Sequence, residues 1–361
     1  MAAYITFQPS DYFNTTTWSG DDTTPRTITG VGFQPDLSWL KDVTAAHNHT
    51  VWDVVRAAGS DNELTPNETL AEGGGSTAAY GYLSAFAADG FTVITGSSNN
   101  SRVNETGDDY ISWNFKAGTT TGIDTTGTTI TPSSYSFDQD RGQSIVTYAG
   151  NTVAGATLAH GLGAVPEMII VKSLNATQSW LTYHRNMDVS APEDYYMALN
   201  VVASRAASAA GWNDTAPTAV NIVLGSDNAV NGSYNYNAYS FVSKSGYSKL
   251  GGYEGNGNAD GPFVYTGFRP NWLMVKSIDS GDSWHIANVK SSPYNVSNKY
   301  LLANSTAAEV TSTTTDLIDI LSNGFKPRAS NAQVNGTNGY VYAAFAEFPF
   351  VSSNDVPGVA R

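Results

Sequence analysis

One pattern, used three times, constrains this chain more than any other feature. An aromatic residue is followed by any residue, a glycine and Asn or Asp; a Gly-x-x-Pro turn comes next, and then a short apolar run closed by lysine. The copies are Trp18-Ser19-Gly20-Asp21 with Gly32-Phe33-Gln34-Pro35 and Leu37 to Lys41; Tyr148-Ala149-Gly150-Asn151 with Gly163-Ala164-Val165-Pro166 and Met168 to Lys172; and Tyr253-Glu254-Gly255-Asn256 with Gly267-Phe268-Arg269-Pro270 and Trp272 to Lys276. From aromatic to turn glycine is 14 residues in the first and third copies and 15 in the second. The glycine can take a positive φ, and the proline presets φ at the head of a strand, where its missing N–H breaks no ladder bond. The four-residue apolar runs, bounded by turn signals, read as buried strands.

The pattern continues beyond the lysine. A tryptophan returns at Trp52, Trp180 and Trp284, 11 residues after the lysine in the first copy and 8 in the others, so the first hairpin is expected to carry a longer loop holding His47-Asn48-His49. Short strand stubs then end at Asn67, Asn200 and Asn304, and each copy closes on an aromatic strand at Phe115, Phe241 and Phe345. In the first closing strand Ile111, Trp113 and Phe115 alternate with polar residues, which predicts one buried face.

The fold class is therefore all-β: three homologous β-sandwich-like units in tandem. The expected bounds are 1–118, 143–248 and 249–361, the last with a short C-terminal tail. Residues 119–142, rich in Thr, Ser and Gly, read as a linker that sets the first unit apart, while the second and third units follow one another closely enough to pack as a pair. Weak helical signal appears only at Ala78 to Ala88 and Asp316 to Leu321.

Composition narrows function. A net charge of -14 argues against nucleic-acid binding, which needs clustered Lys and Arg. No apolar stretch approaches the roughly 18 residues of a membrane span, and the N-terminus lacks the pattern of a secretory signal, so synthesis in a cytoplasm is expected. With no cysteine, disulfides, thiol nucleophiles and thiolate metal sites are excluded.

At the residues Tyr253 to Ser277, followed by a Trp hairpin, Leu301-Leu302-Ala303-Asn304, Asn323-Gly324-Phe325 and the ending Tyr342 to Phe350, the chain resembles a module of virion proteins of tailed bacteriophages, marine ones especially. The resemblance spans about residues 10–350 and is most specific in the Gly-Phe-x-Pro turn and the Tyr-x-Ala-Phe-Ala-Glu ending, from which copies one and two depart with Lys116 and Val242. It implies a non-enzymatic virion structural protein, tail-fibre or tail-associated and an adhesin for the host surface, with capsid decoration or head-fibre protein and glycan-degrading tailspike as alternatives. It also implies other virion proteins and a host-surface glycan or protein as partners, a virion location and a homo-oligomer. It carries over no catalytic residue.

The residues themselves offer little chemistry. His47 and His49, with Asp53 nearby, present two imidazoles on one side of a strand, the geometry a metal would need, but a solvated loop explains them as well, and no metal or cofactor is expected. The acid pairs Asp108 and Asp109, Asp138 and Asp140, Glu193 and Asp194, and Asp316 and Asp319 sit among turn residues, where solvated surface outweighs a glycosidase pair. Asp227 and Asp279 to Asp282 lie in turns too short for a calcium loop. No Gly-x-Ser-x-Gly elbow is present. The binding candidates are His47 and His49 in the first hairpin and the tyrosine-rich strand with Tyr234, Tyr236 and Tyr239, whose rings offer contact area at low entropic cost. Catalytic residues are expected nowhere.

Overall fold

The apolar run after each Gly-x-x-Pro turn becomes the middle strand of a sheet. Gly32, Gly163 and Gly267 take φ of 88°, 64° and 86°, so the turn needs the freedom that only glycine has without strain. The computed structural model of the chain describes residues 7–75, 77–97 and 102–349; the outer ends of the expected first and third units, including Phe350, lie outside them. Among the described residues the chain is nearly all β, with every paired strand antiparallel to its neighbours.

The same strand order occurs in three sheets. An entry strand pairs with the closing strand, the closing strand with the middle strand, and the middle strand with the hairpin strand. In the first copy these are Phe13–Ser19, Asp109–Phe115, Leu37–Asp42 and Thr50–Asp53. In the second they are Gln143–Ala149, Asn235–Phe241, Met168–Ser173 and Leu181–His184, and in the third Ser248–Glu254, Gly339–Pro349, Phe268–Ser277 and His285–Asn288. Each large sheet is backed by a small one, containing Arg26–Thr29, Ala156–Ala159 or Val264–Tyr265, which gives a sandwich-like pair of layers.

The large sheets are buried on both faces, which is why their middle strands read as unbroken apolar runs. On one face Trp18, Leu40 and Tyr110 pack against Ile28 and Phe91 of the small sheet, and Leu273, Val275 and Tyr340 do the same against Val264 and Phe325. On the other face, Trp39, Trp113, Phe115, Tyr239, Phe241, Trp272, Met274 and Phe345 from all three copies share one core. The three closing phenylalanines meet there: Phe115 lies 5.1 Å from Phe345 and 6.0 Å from Phe241, and Phe241 lies 6.0 Å from Phe345. Beside them is an apolar cavity of about 50 Å³ lined by Trp39, Trp180, Trp272 and Met274. Such aromatic pairs add about 0.5–1.5 kcal/mol each beyond their buried area.

The opening motif has a physical explanation that also repeats. Its aromatic stacks on the closing strand, Trp18 on Tyr110 at 5.4 Å, Tyr148 on Tyr236 at 5.1 Å and Tyr253 on Tyr340 at 4.9 Å. Its glycine runs against a carbonyl, since a Cβ at Gly20, Gly150 or Gly255 would lie 1.9, 2.1 or 2.0 Å from the oxygen of Glu105, Gly232 or Gly336. The next residue's N–H donates to a buried asparagine side chain: Asp21 to Asn104 at 3.3 Å, Asn151 to Asn231 at 2.8 Å and Asn256 to Asn335 at 3.0 Å.

Several expectations need correcting. Ser112 and Asn114 of the first closing strand are buried too, and are satisfied by each other and by Ser38, so that strand has two buried faces. Within 119–142, Ser134–Asp138 is a strand that pairs with Gln143–Ala149, because Tyr135 and Phe137 alternate with serines; the segment is part of the second sheet. The first unit is not set apart, since all three copies share the central core. Only Thr77–Tyr80 of the first helical candidate is helical, while Tyr82–Ala87 and Ile318–Leu321 are strands; a helical turn at Ala209–Trp212 carried no sequence signal.

The hairpin alignment also changes. Strand register places Leu37 opposite Asp53, Met168 opposite His184 and Trp272 opposite Asn288. Residue 43–49, 174–180 and 278–284 connections are then equal in length, and the counterpart of Trp180 and Trp284 is His49. His49 follows its lysine by the same 8 residues as the two tryptophans; Trp52 is a sandwich-core residue.

Candidate functional site

The hairpin and the asparagine stub of each copy meet the next copy, and the three seams close a ring. Asn67, Asn200 and Asn304 accept the backbone N–H of His49, Trp180 and Trp284 at 2.9, 3.0 and 2.8 Å. The ring N–H of each of those residues then reaches the stub of a neighbouring copy. Trp180 Nε1 donates to the Thr65 carbonyl at 3.1 Å, Trp284 Nε1 to Ala198 at 3.0 Å, and His49 Nε2 lies 3.1 Å from the Leu302 carbonyl. A backbone bond repeats the closure: Glu72 N–H to Leu174 at 2.8 Å, Arg205 to Ile278 at 3.1 Å and Glu309 to Val43 at 2.9 Å.

The motif lysines sit at the same seams. Lys172 Nζ donates to the carbonyls of Thr69 and Gln178 at 3.0 and 2.7 Å, and Lys276 Nζ to Val202 at 3.1 Å, each crossing to the preceding copy. Lys41 Nζ stays within its own hairpin, on Asp42 and Ala45. Burial pulls Lys172 down to about 7 and Lys41 and Lys276 to about 8.

His49 is wholly buried. Its Nδ1 accepts from the Trp39 indole at 2.9 Å, so the proton must be on Nε2, which donates to Leu302. Burial, with Lys41 nearby, holds His49 well below its ordinary pKa. Both nitrogens are engaged, so His49 has none left for a metal, and Asp53 is equally committed. Asp53 Oδ2 takes Arg56 Nε, Asn237 Nδ2 and Tyr239 Oη, each at 2.8 Å, and Arg56 continues to Glu72 at 2.7 Å.

Of the remaining sequence candidates, Tyr239 is thus a buried seam residue and Tyr236 is buried in the motif stack, its hydroxyl bonded to Gly232 N–H and the Asn228 carbonyl. Tyr234 is half-buried against the core. Tyr236 and Tyr239 point to opposite faces of a strand that is covered on both sides, so neither offers a ring face to an external ligand, whereas Tyr234, just before the strand, is partly exposed. His47 is also half-exposed, with Nδ1 2.9 Å from Asp42 Oδ2. Asp108 joins them within 4.8 Å; burial, and then the neighbouring Asp42, push its carboxyl above the usual range. Asp42 Oδ1 meanwhile accepts Thr44 and Ala45 N–H, an ordinary turn. Of the acid pairs, Asp138 and Asp140 are held by Arg141 and Asp319 by Arg328. Asp227 accepts Ala229 N–H in its own turn at 2.8 Å.

The open site is elsewhere, and sequence reasoning missed it. A groove of about 480 Å³ runs between Arg185 and Asn186 of the second copy and Lys249 to Tyr253 of the third, walled by Phe263 and Tyr265. Glu167 is fixed at its base by Arg185 at 2.8 Å and by Ser243 N–H at 2.8 Å. Burial works against the charge on Glu167, but the Ser243 donors and Arg185 outweigh it and leave the carboxyl below its usual range. The signal that could have found the groove lies in differences between copies. Strand register equates Gly251 and Gly252 with Thr16 and Thr17 and with Val146 and Thr147. It equates Tyr265 with Thr29 and with Ala159, and counting two residues back along the chain sets Phe263 against Thr27 and Thr157.

These features define an all-β protein in which three sheets of one strand order close around a shared aromatic core. The chain belongs to the family described as a domain of unknown function (DUF7483), whose match covers residues 8–349. No curated protein and no solved structure matches it.

Proposed function

We propose that this chain is a non-enzymatic structural component of a bacteriophage virion, tail-fibre or tail-associated, that attaches to the host surface. One observation carries the reading: what recurs in all three copies makes structure. The lysines at 41, 172 and 276, the His49/Trp180/Trp284 set and the buried asparagines all bond to backbone or to one another. A rigid acidic scaffold with copy-specific surfaces suits attachment, where loops change while the frame persists. The resemblance of the repeated motif to phage virion modules supports the same reading. Among the described residues no helix is long and apolar enough to cross a membrane.

The partners in this proposal are other virion proteins and a host-surface glycan or protein. The ring supplies a threefold arrangement within one chain, which suits a seat on a threefold fibre or collar; a homo-oligomer is the state expected in the particle. Gold labelling of the C-terminus on intact particles is expected to mark the tail. Label spread evenly over the head would replace this reading with capsid decoration. Shortening of host envelope polysaccharide by the purified protein would replace it with a glycan-degrading spike.

A further inference from the structure

We propose that the groove between the second and third copies is a glycan-binding site, with Phe263 and Tyr265 as its stacking platform. The inference rests on the adhesin reading for its biological role, and on the groove's own chemistry for its ligand class.

Three observations converge. First, Phe263 and Tyr265 are 49% and 63% exposed, although large aromatic rings ordinarily find cover. They flank Val264, Tyr265 in the short strand Val264–Tyr265 and Phe263 just before it, both line the groove, and the equivalent positions in the other copies hold threonine or alanine. Second, the opposite wall carries Arg185 and Asn186, both exposed, and Glu167 is locked in place by Arg185 and Ser243. Arg185 and Glu167, held by each other and by Ser243, and the exposed Asn186 thus share an open groove with two exposed aromatic rings, the combination that holds a pyranose by its C–H face and its hydroxyl edge. Third, the floor is the backbone at Gly251 and Gly252. A Cβ at Gly251 would lie 2.6 Å from the Tyr342 ring, and one at Gly252 3.0 Å from Asn186. Side chains fill the matching positions of the other two copies.

Other occupants fit less well. A peptide adding a strand to Ser248–Glu254 would need its outward N–H groups, and the one at Leu250 is already donated to Ser243 Oγ at 2.9 Å. Nucleic acid is disfavoured by the charge of -14. Lys249 and Arg185 line the groove with Glu167 as the single carboxylate, so both neutral and uronate sugars are admissible, and the test separates them.

The experiment titrates the full chain with cellohexaose, maltohexaose and an oligoguluronate at up to millimolar concentration, following ligand protons by saturation-transfer NMR. Binding of at least one is expected. Phe263→Ala and Tyr265→Ala are each expected to weaken it about tenfold, and Gly252→Leu to block it, whereas Tyr294→Ala, 78% exposed and outside the groove, leaves it unchanged. Unaltered thermal midpoints in the two aromatic variants show that the fold is retained. If no probe binds, or if binding survives both aromatic variants, the groove assignment is overturned; tail labelling is unaffected by that result and tests the virion reading separately.

Discussion

Two of the three seams are closed by an indole and the third by an imidazole. Trp180 and Trp284 bring a large apolar ring and one N–H, which need nothing further once the donor finds its carbonyl. His49 does the same task with a smaller ring and a second nitrogen, and that nitrogen needs its own partner, the Trp39 indole. The first-to-third seam is therefore more polar, is built on a chain of hydrogen bonds, and depends on protonation state. One position in a repeated architecture can keep its geometric role while its chemistry changes.

Truncating an indole should produce the largest effect. Trp180→Ala removes the ring from the central core and with it the Nε1 donation to the Thr65 and Glu68 carbonyls; a loss of about 3–5 kcal/mol is expected by denaturant unfolding. A loss under 1 kcal/mol would mean the seam is not packed as described.

The motif glycines come next. Gly255→Ala drives a methyl group into the Gly336 carbonyl and should cost about 1–3 kcal/mol through forced backbone shifts. Gly107→Ala, with open space around its Cβ but a φ of 99°, tests whether backbone strain alone explains such losses.

The imidazole seam should reveal itself through pH. His49, His160 and His184 are each neutral in the fold because Nδ1 accepts an N–H while Nε2 faces a carbonyl, and burial pulls His160, His184 and also His285 down to about 4. Below the ordinary value of 6.5 the unfolded chain takes protons that the folded chain refuses. The contribution of His160, His184 and His285 is therefore complete above about 6.5 and is lost as pH falls toward about 4, and His49, held well below its ordinary value by burial, adds a loss on the same acid side. His49→Gln keeps a donor at the seam and removes one titrating group; it should cost about 1 kcal/mol at neutral pH and flatten the acid limb of the thermal midpoint. An unchanged acid limb would remove His49 from the account.

The smallest effect belongs to His47. Its pairing with Asp42 is half-exposed, so His47→Ala should move stability by no more than about 0.5 kcal/mol. A larger change, or one that depends on added divalent cation, would point to Asp42, His47 and Asp108 acting together.

The contrast between seams also explains what the sequence made legible. The repeated Gly-x-x-Pro turns and apolar runs identified the strands, because turn chemistry and two-sided burial are local signals. The equivalence of His49 with the tryptophans was hidden by residue type, although the 8-residue spacing from the lysine carried it. Closure into a ring was not legible, since it depends on contacts such as His49 to Leu302, 253 residues apart. The tyrosines looked like a surface because Tyr, Asn and Ser alternate in both paratopes and buried strands; at Tyr236 and Tyr239 the second burying layer decided the matter. The groove was missed for the opposite reason, since its defining residues depart from the repeat.

Ring closure is most directly tested by amide hydrogen exchange at Glu72, Arg205 and Glu309, the three N–H groups that bridge successive copies. A closed ring predicts comparable strong protection at all three. Fast, unprotected exchange at Glu309 with Glu72 and Arg205 still protected would show an open row of three sheets instead.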